Sequence, residues 1–140
     1  MVSRGDVESA LRAALHGLVE TLPEVMTVYL FGSTAAGVSG RSSDLDLAVL
    51  APEPIAPARV GRARERVAEL AGRDVDLIDL ARCSTVMQAQ VVSTGRVLRE
   101  VDPAAREAFE TRVYSAYARL NEERREILAR IQREGRIHGR

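Results

Sequence analysis

Apolar residues recur at helical spacing through the first 22 positions, at Val7, Leu11, Leu15, Leu18, Val19 and Leu22, and Pro23 closes that segment. The period then changes. Thr27–Phe31 is a short β-rich run stopped by Gly32, and Leu45–Leu50 is a second apolar run after a small, polar, glycine-containing turn over 33–40. Pro52, Pro54 and Pro57 make a stiff connection to a helix rich in Arg and Glu over Ala58–Ala71, with Gly72 just past its end. Val75–Leu80 is a third strand. Ser84 is placed to cap a short helix running to Ser93 that ends at Gly95, and Val97–Val101 reads as a fourth strand at a sheet edge. From Pro103 one long helix runs to about Glu134, with Phe109, Val113, Leu120, Ile127 and Ile131 on its apolar side.

The strand–helix–strand unit from Leu45 to Leu80 is long enough for a right-handed crossover, so its two strands should be parallel. The connection from Phe31 to Asp44 is shorter and suits an antiparallel return. An α+β domain is expected: a small mixed β-sheet with flanking helices and a long C-terminal helix. Residues 1–102 form the core, and 103–140 form the C-terminal helix that packs on it. Beyond Asn121 the apolar stripe outruns what so small a core can bury, which marks that half as a surface for a partner or a second copy.

The chain has 140 residues, enough for one domain with a modest core, and only 4% are aromatic, so Leu, Val, Ile and Ala must build that core. The net charge is zero, which argues against a broad basic face gripping extended nucleic acid. Every one of the 20 basic residues is arginine, so any cationic side chain on a phosphate would be a planar, bidentate guanidinium. A lone cysteine, Cys83, allows no internal disulfide. With no signal-peptide pattern and no apolar run long enough for a membrane span, a cytoplasmic location is expected.

Candidate chemistry concentrates on acidic residues. Asp44 and Asp46 flank Leu45, and in a strand residues two apart project from one face, roughly 6–7 Å apart at Cα. Two like charges at that range repel unless a cation lies between them, and magnesium prefers such oxygen ligands. Asp76, between Val75 and Leu77, can join them from the neighbouring strand about 4.8 Å away, and the apolar neighbours suggest that it sits deepest in that strand. Three carboxylates suit two metal ions. Gly32 lets backbone approach a ligand closely, and Ser33, if it opens a helical turn, offers a hydroxyl and free N–H groups to a phosphate. Ser42, Ser43 and Arg41 could add hydroxyls and a cation.

These residues resemble a known family. Gly-Ser, ten residues, then Asp-x-Asp is the signature of the DNA polymerase β-like nucleotidyltransferase superfamily, and here it reads GSTAAGVSGRSSDLD, with VDLI supplying the later strand aspartate. The short chain is similar to the minimal MNT branch, in particular to MntA-type antitoxins paired with HEPN-domain toxins. The likeness runs on through the GRVLRE segment and the long C-terminal helix. It implies a polymerase β-like fold, ATP as substrate, two magnesium ions, and transfer of AMP to a tyrosine of the partner HEPN toxin, in a hetero-oligomer. It also implies that Gly32 and Ser33, with Ser43, hold the triphosphate, that Asp44 and Asp46 hold both metals, and that Asp76 holds the catalytic one.

Other readings stand beside it. The Asp-Leu-Asp pair taken alone is also what a solvent-facing strand looks like, and a Gly-Ser pair taken alone is a turn. The enzyme could act on a small molecule or an RNA end, although no second domain is present to hold one. A binding antitoxin with an idle nucleotide site is the alternative of a different class. Asp74 and Asp79 read as edge or capping residues, Cys83 as a passive side chain, and His16 as a helix residue facing water or packing. Arg133 and His138 match an Arg-x4-His spacing in a glycine-containing tail, which reads as coincidence.

Overall fold

The computed structural model describes residues 4–32 and 45–138. The elements are α1 (Arg4–Thr21), β1 (Thr27–Phe31), β2 (Leu45–Leu50), α2 (Pro57–Ala71), β3 (Val75–Asp79), a 3₁₀ turn (Leu80–Arg82), α3 (Thr85–Thr94), β4 (Arg96–Glu100) and α4 (Pro103–His138). The four strands lie in the order β3-β2-β1-β4. β1 runs antiparallel to both β2 and β4, and β2 runs parallel to β3 through the α2 crossover. This is the α+β arrangement that the spacing predicts.

Strand alternation sends side chains to two different layers. Val28, Leu30, Leu45, Leu47 and Val49 face α1 and α2, where Leu11, Ala14, Leu18, Ala63 and Val67 complete the larger core. Tyr29, Phe31, Ala48 and Leu50 face the other way, against Val91 of α3 and Phe109 and Val113 of α4. β1 is buried along its whole length because both of its faces are covered.

Where the expected boundaries move, a side chain is responsible. β3 stops at Asp79, one residue short of the predicted strand, because the Asp79 carboxylate caps the turn that follows. Its Oδ1 accepts from the Ala81 N–H at 3.2 Å, and its Oδ2 accepts from the Ile55 N–H at 2.8 Å. Ser84 caps α3 as predicted, its hydroxyl accepting from the Met87 N–H. Gly72 follows α2 at φ 70°, the left-handed geometry that favours glycine. Gly95 ends α3 for another reason: a Cβ there would press into the Val91 carbonyl oxygen and lie 3.2 Å from that of Leu30.

The second layer carries a polar tie that the sequence pattern does not reveal. The buried Tyr29 hydroxyl donates to Glu110 Oε2 at 2.6 Å, and Arg106 bridges Glu110 at 3.0 Å and Glu100 at 2.9 Å. These contacts fasten β1, β4 and α4 together. Burial, and then the adjoining Glu110 carboxylate, push the Tyr29 hydroxyl far above its ordinary pKa, so it remains a neutral donor. On the first layer, Arg59 of α2 grips Glu24 through both terminal nitrogens.

Asp79→Ala should destabilise the domain by about 2 kcal/mol, because it strands a buried Ile55 N–H as well as losing the turn cap. Urea unfolding would show this as a lower midpoint at an unchanged slope. Asp79→Asn, which keeps one acceptor oxygen, should lose less.

Candidate active site

The register fixes the relation between the acidic residues. Asp46 is the direct partner of Phe31 on β1 and of Asp76 on β3. Because Leu45, Leu47 and Val49 point toward α1 and α2, Asp46 projects from the opposite face, the one that carries Ala48 and Leu50. Asp76 shares that face with Ile78. The two carboxylates therefore stand side by side across a parallel pair, with backbones about 4.8 Å apart. They lie where the second layer runs out: Asp46 is half-buried and Asp76 is exposed.

Gly32 completes the arrangement. It ends β1 at φ 78°, a conformation strained for any residue with a side chain. A Cβ at this position would collide with Asp46 Oδ2 and lie 3.2 Å from its Cγ. The sequence suggests a glycine that admits a ligand. In the fold, the space its missing Cβ leaves is taken first by the Asp46 carboxylate.

Two adjacent carboxylates with no lysine available anywhere in the chain form a hard, anionic, oxygen-only donor set, and such a set fits Mg²⁺. Among the described residues no cluster of three His, Cys, Asp or Glu side chains is assembled. Asp44 is the further ligand that the sequence nominates. Asp44, Ser33, Ser43, Ser42 and Arg41 all lie outside the described residues. The structure thus brings together Gly32, Asp46 and Asp76 of the predicted set.

One expectation needs correcting. Asp76 was expected to be the deepest acid of its strand because Val75 and Leu77 flank it, yet it is exposed and Asp79 is the buried one. Flanking residues in a strand point to the opposite face, so their burial says nothing about the depth of the residue between them. Asp79 is structural, as its bonds to Ile55 and Ala81 show. Asp74 is exposed, and its carbonyl accepts from the Leu45 N–H at 3.0 Å, which pins β2 to β3 next to the site. Cys83 is partly buried, and burial together with Asp79 raises its thiol pKa, which suits a passive role. His16 is exposed. An open groove of about 290 Å³ beside β3 is lined by Pro57, Val60, Ile78, Asp79, Arg82 and Cys83, but its one carboxylate is committed to backbone.

Asp46→Asn removes one charge of the acidic pair and with it half of this oxygen donor set. Added Mg²⁺ should raise the midpoint of the native protein and much less that of the variant. Differential scanning calorimetry across a Mg²⁺ series would read both effects. Gly32→Ala should displace the Asp46 carboxylate and cost about 1 kcal/mol or more of stability from the left-handed backbone alone, measured by chemical denaturation.

Comparison with known proteins agrees with this fold. The family described as "Polymerase beta, Nucleotidyltransferase" matches residues 14–104, more than half of the chain. The protein adenylyltransferase MntA of Shewanella oneidensis is 35% identical over 111 residues, spanning 79% of each chain. A crystal structure of a toxin–antitoxin with AMP-PNP superposes with a TM-score of 0.77 at 32% identity, covering 87% of this chain and 98% of that one. A structure of tri-AMPylated Shewanella oneidensis HEPN toxin in complex with MNT antitoxin gives a TM-score of 0.73 at 29% identity, covering 89% of this chain and 98% of that one. The chain belongs to the polymerase β nucleotidyltransferase family.

Proposed function

We propose that this chain is an MNT antitoxin that transfers AMP from ATP to a tyrosine hydroxyl of a HEPN toxin and thereby silences it. In the transfer a bond forms between the hydroxyl oxygen and the α-phosphorus, the bond to pyrophosphate breaks, and the hydroxyl proton is released. The carrying observation is the Asp46–Asp76 pair on adjacent parallel strands, set against Gly32 at the end of β1. The likeness to MntA, to the AMP-PNP complex and to the AMPylated toxin complex supports the choice of nucleotide and acceptor.

In this reading Asp46 and Asp76, with Asp44, hold Mg²⁺, and Gly32, Ser33 and Ser43 face the triphosphate. Bound Mg²⁺ supplies charge neutralisation for the triphosphate and a lower pKa for the attacking hydroxyl. The chain's own contribution is alignment. The sheet register sets the backbones of the two aspartates side by side, which limits how far their carboxylates must move to act together. Arginine supplies any further positive charge, since the chain has no lysine. Residues 1–102 act as the catalytic unit, and the C-terminal helix extends from it.

ATP labelled at the α-phosphate, incubated with the chain and a purified HEPN toxin, should leave label on the toxin, whereas ATP labelled at the γ-phosphate should not. Asp46→Asn and Asp76→Asn should each slow label transfer on the order of 10²-fold or more, as should chelation with EDTA. Toxin ribonuclease activity should return in step. If both variants still neutralise the toxin without labelling it, the chain acts by binding and the adenylylation reading fails.

A further inference from the structure

The outer part of α4 has no tertiary support. Every residue from Glu122 to Gly135 is exposed, and this stretch extends from a helix whose Phe109 and Val113 are buried. It nevertheless keeps an apolar seam: Ile127 is 47% exposed, Leu128 60% and Ile131 56%. The spacing from Val113 through Tyr117, Leu120, Arg124, Ile127 and Ile131 to Glu134 alternates four and three residues, the seam of a coiled coil. A lone helix this short is marginal in water, so such a seam calls for a covering helix.

We propose that the occupant is the same segment of a second copy, paired antiparallel about a two-fold axis at Ala129. That residue lies at the middle of the unsupported stretch, and the three exposed apolar side chains gather around it. With the axis there, Ile127 faces Ile131 of the second copy, and the two Leu128 side chains approach each other beside the axis. Arg124 then faces Glu134 of the second copy, and the symmetry repeats that ion pair at the other end. Neither residue has an ion pair among the described residues of its own chain, so both are available. Arg130 would near its own symmetry mate, and Glu126, one turn earlier on the same helix, is placed to neutralise it. A charged residue within the seam also sets the register, since any slip leaves Arg124 against an apolar partner. This pairing is independent of the adenylylation reading.

Sedimentation of the full chain over a concentration series should show a monomer–dimer equilibrium. Arg124→Glu or Glu134→Arg alone should abolish the dimer at concentrations where the native chain is mostly paired. The double exchange should restore it, and an equimolar mixture of the two single variants should hetero-pair, because both ends of the mixed pair then join a Glu to an Arg while each variant alone has two repulsive ends. Ile127→Ser with Ile131→Ser should leave a folded monomer whose thermal midpoint does not depend on concentration, since both sites are exposed in the single chain. A native chain that stays monomeric throughout, including one that associates through α4 only when toxin is added, overturns the proposal. So does a dimer that ignores the charge exchange.

Discussion

Two carboxylates on neighbouring strands, at the same register and on the same face, repel one another, and a folded chain tolerates that arrangement only when something else holds the strands in place. Here the parallel β2–β3 pairing does so, with Leu45, Leu47, Val75 and Leu77 buried on the reverse face. Burial of those aliphatic side chains is worth on the order of a kcal/mol or more each, against a modest repulsion between partly hydrated carboxylates. The hydrophobic layer under α1 and α2 therefore wins, and the two carboxylates stay side by side. Gly32 belongs to the same device, because only a residue without Cβ leaves room for Asp46 where β1 ends.

The polar chemistry of the domain divides between its two ends. At one end Asp79 is buried and its oxygens bind backbone donors, so it serves the fold and has no spare capacity for a ligand. At the other end Asp76 is exposed at the start of the same strand, where it can meet solute. Tyr29, Glu110, Arg106 and Glu100 fasten the second layer between these regions. α3 and α4 cover that layer over Tyr29, Phe31 and Leu50, while Asp76 at the start of β3 is exposed. The same sheet face is thus core for part of its length and candidate catalytic surface for the rest.

Much of this was legible in the chain. The bounds of β1 and β2, the Ser84 cap, Gly72 and the parallel crossover all follow from local periodicity and turn chemistry, which act over a few residues. The spacing of Asp46 and Asp76 within their own runs put each on a strand of known alternation, so their meeting needed only the correct register. The depth of Asp76 is not legible in its neighbours, since the burial of Val75 and Leu77 belongs to the other face. The close approaches at Gly32 and Gly95 are not local either, because each depends on a group brought near by folding: the Asp46 carboxylate in one case, the Leu30 carbonyl in the other.

Alone, the amino-acid order determined the elements, their approximate ends, the α+β class and the kind of chemistry, because propensity, hydrophobic period and carboxylate spacing are local properties. Tertiary structure alone decided which aspartate is buried and which is open, and that Tyr29 would find Glu110 81 positions away. Those outcomes depend on which layer covers which stretch of sheet, and coverage is settled only when segments distant in sequence are packed together.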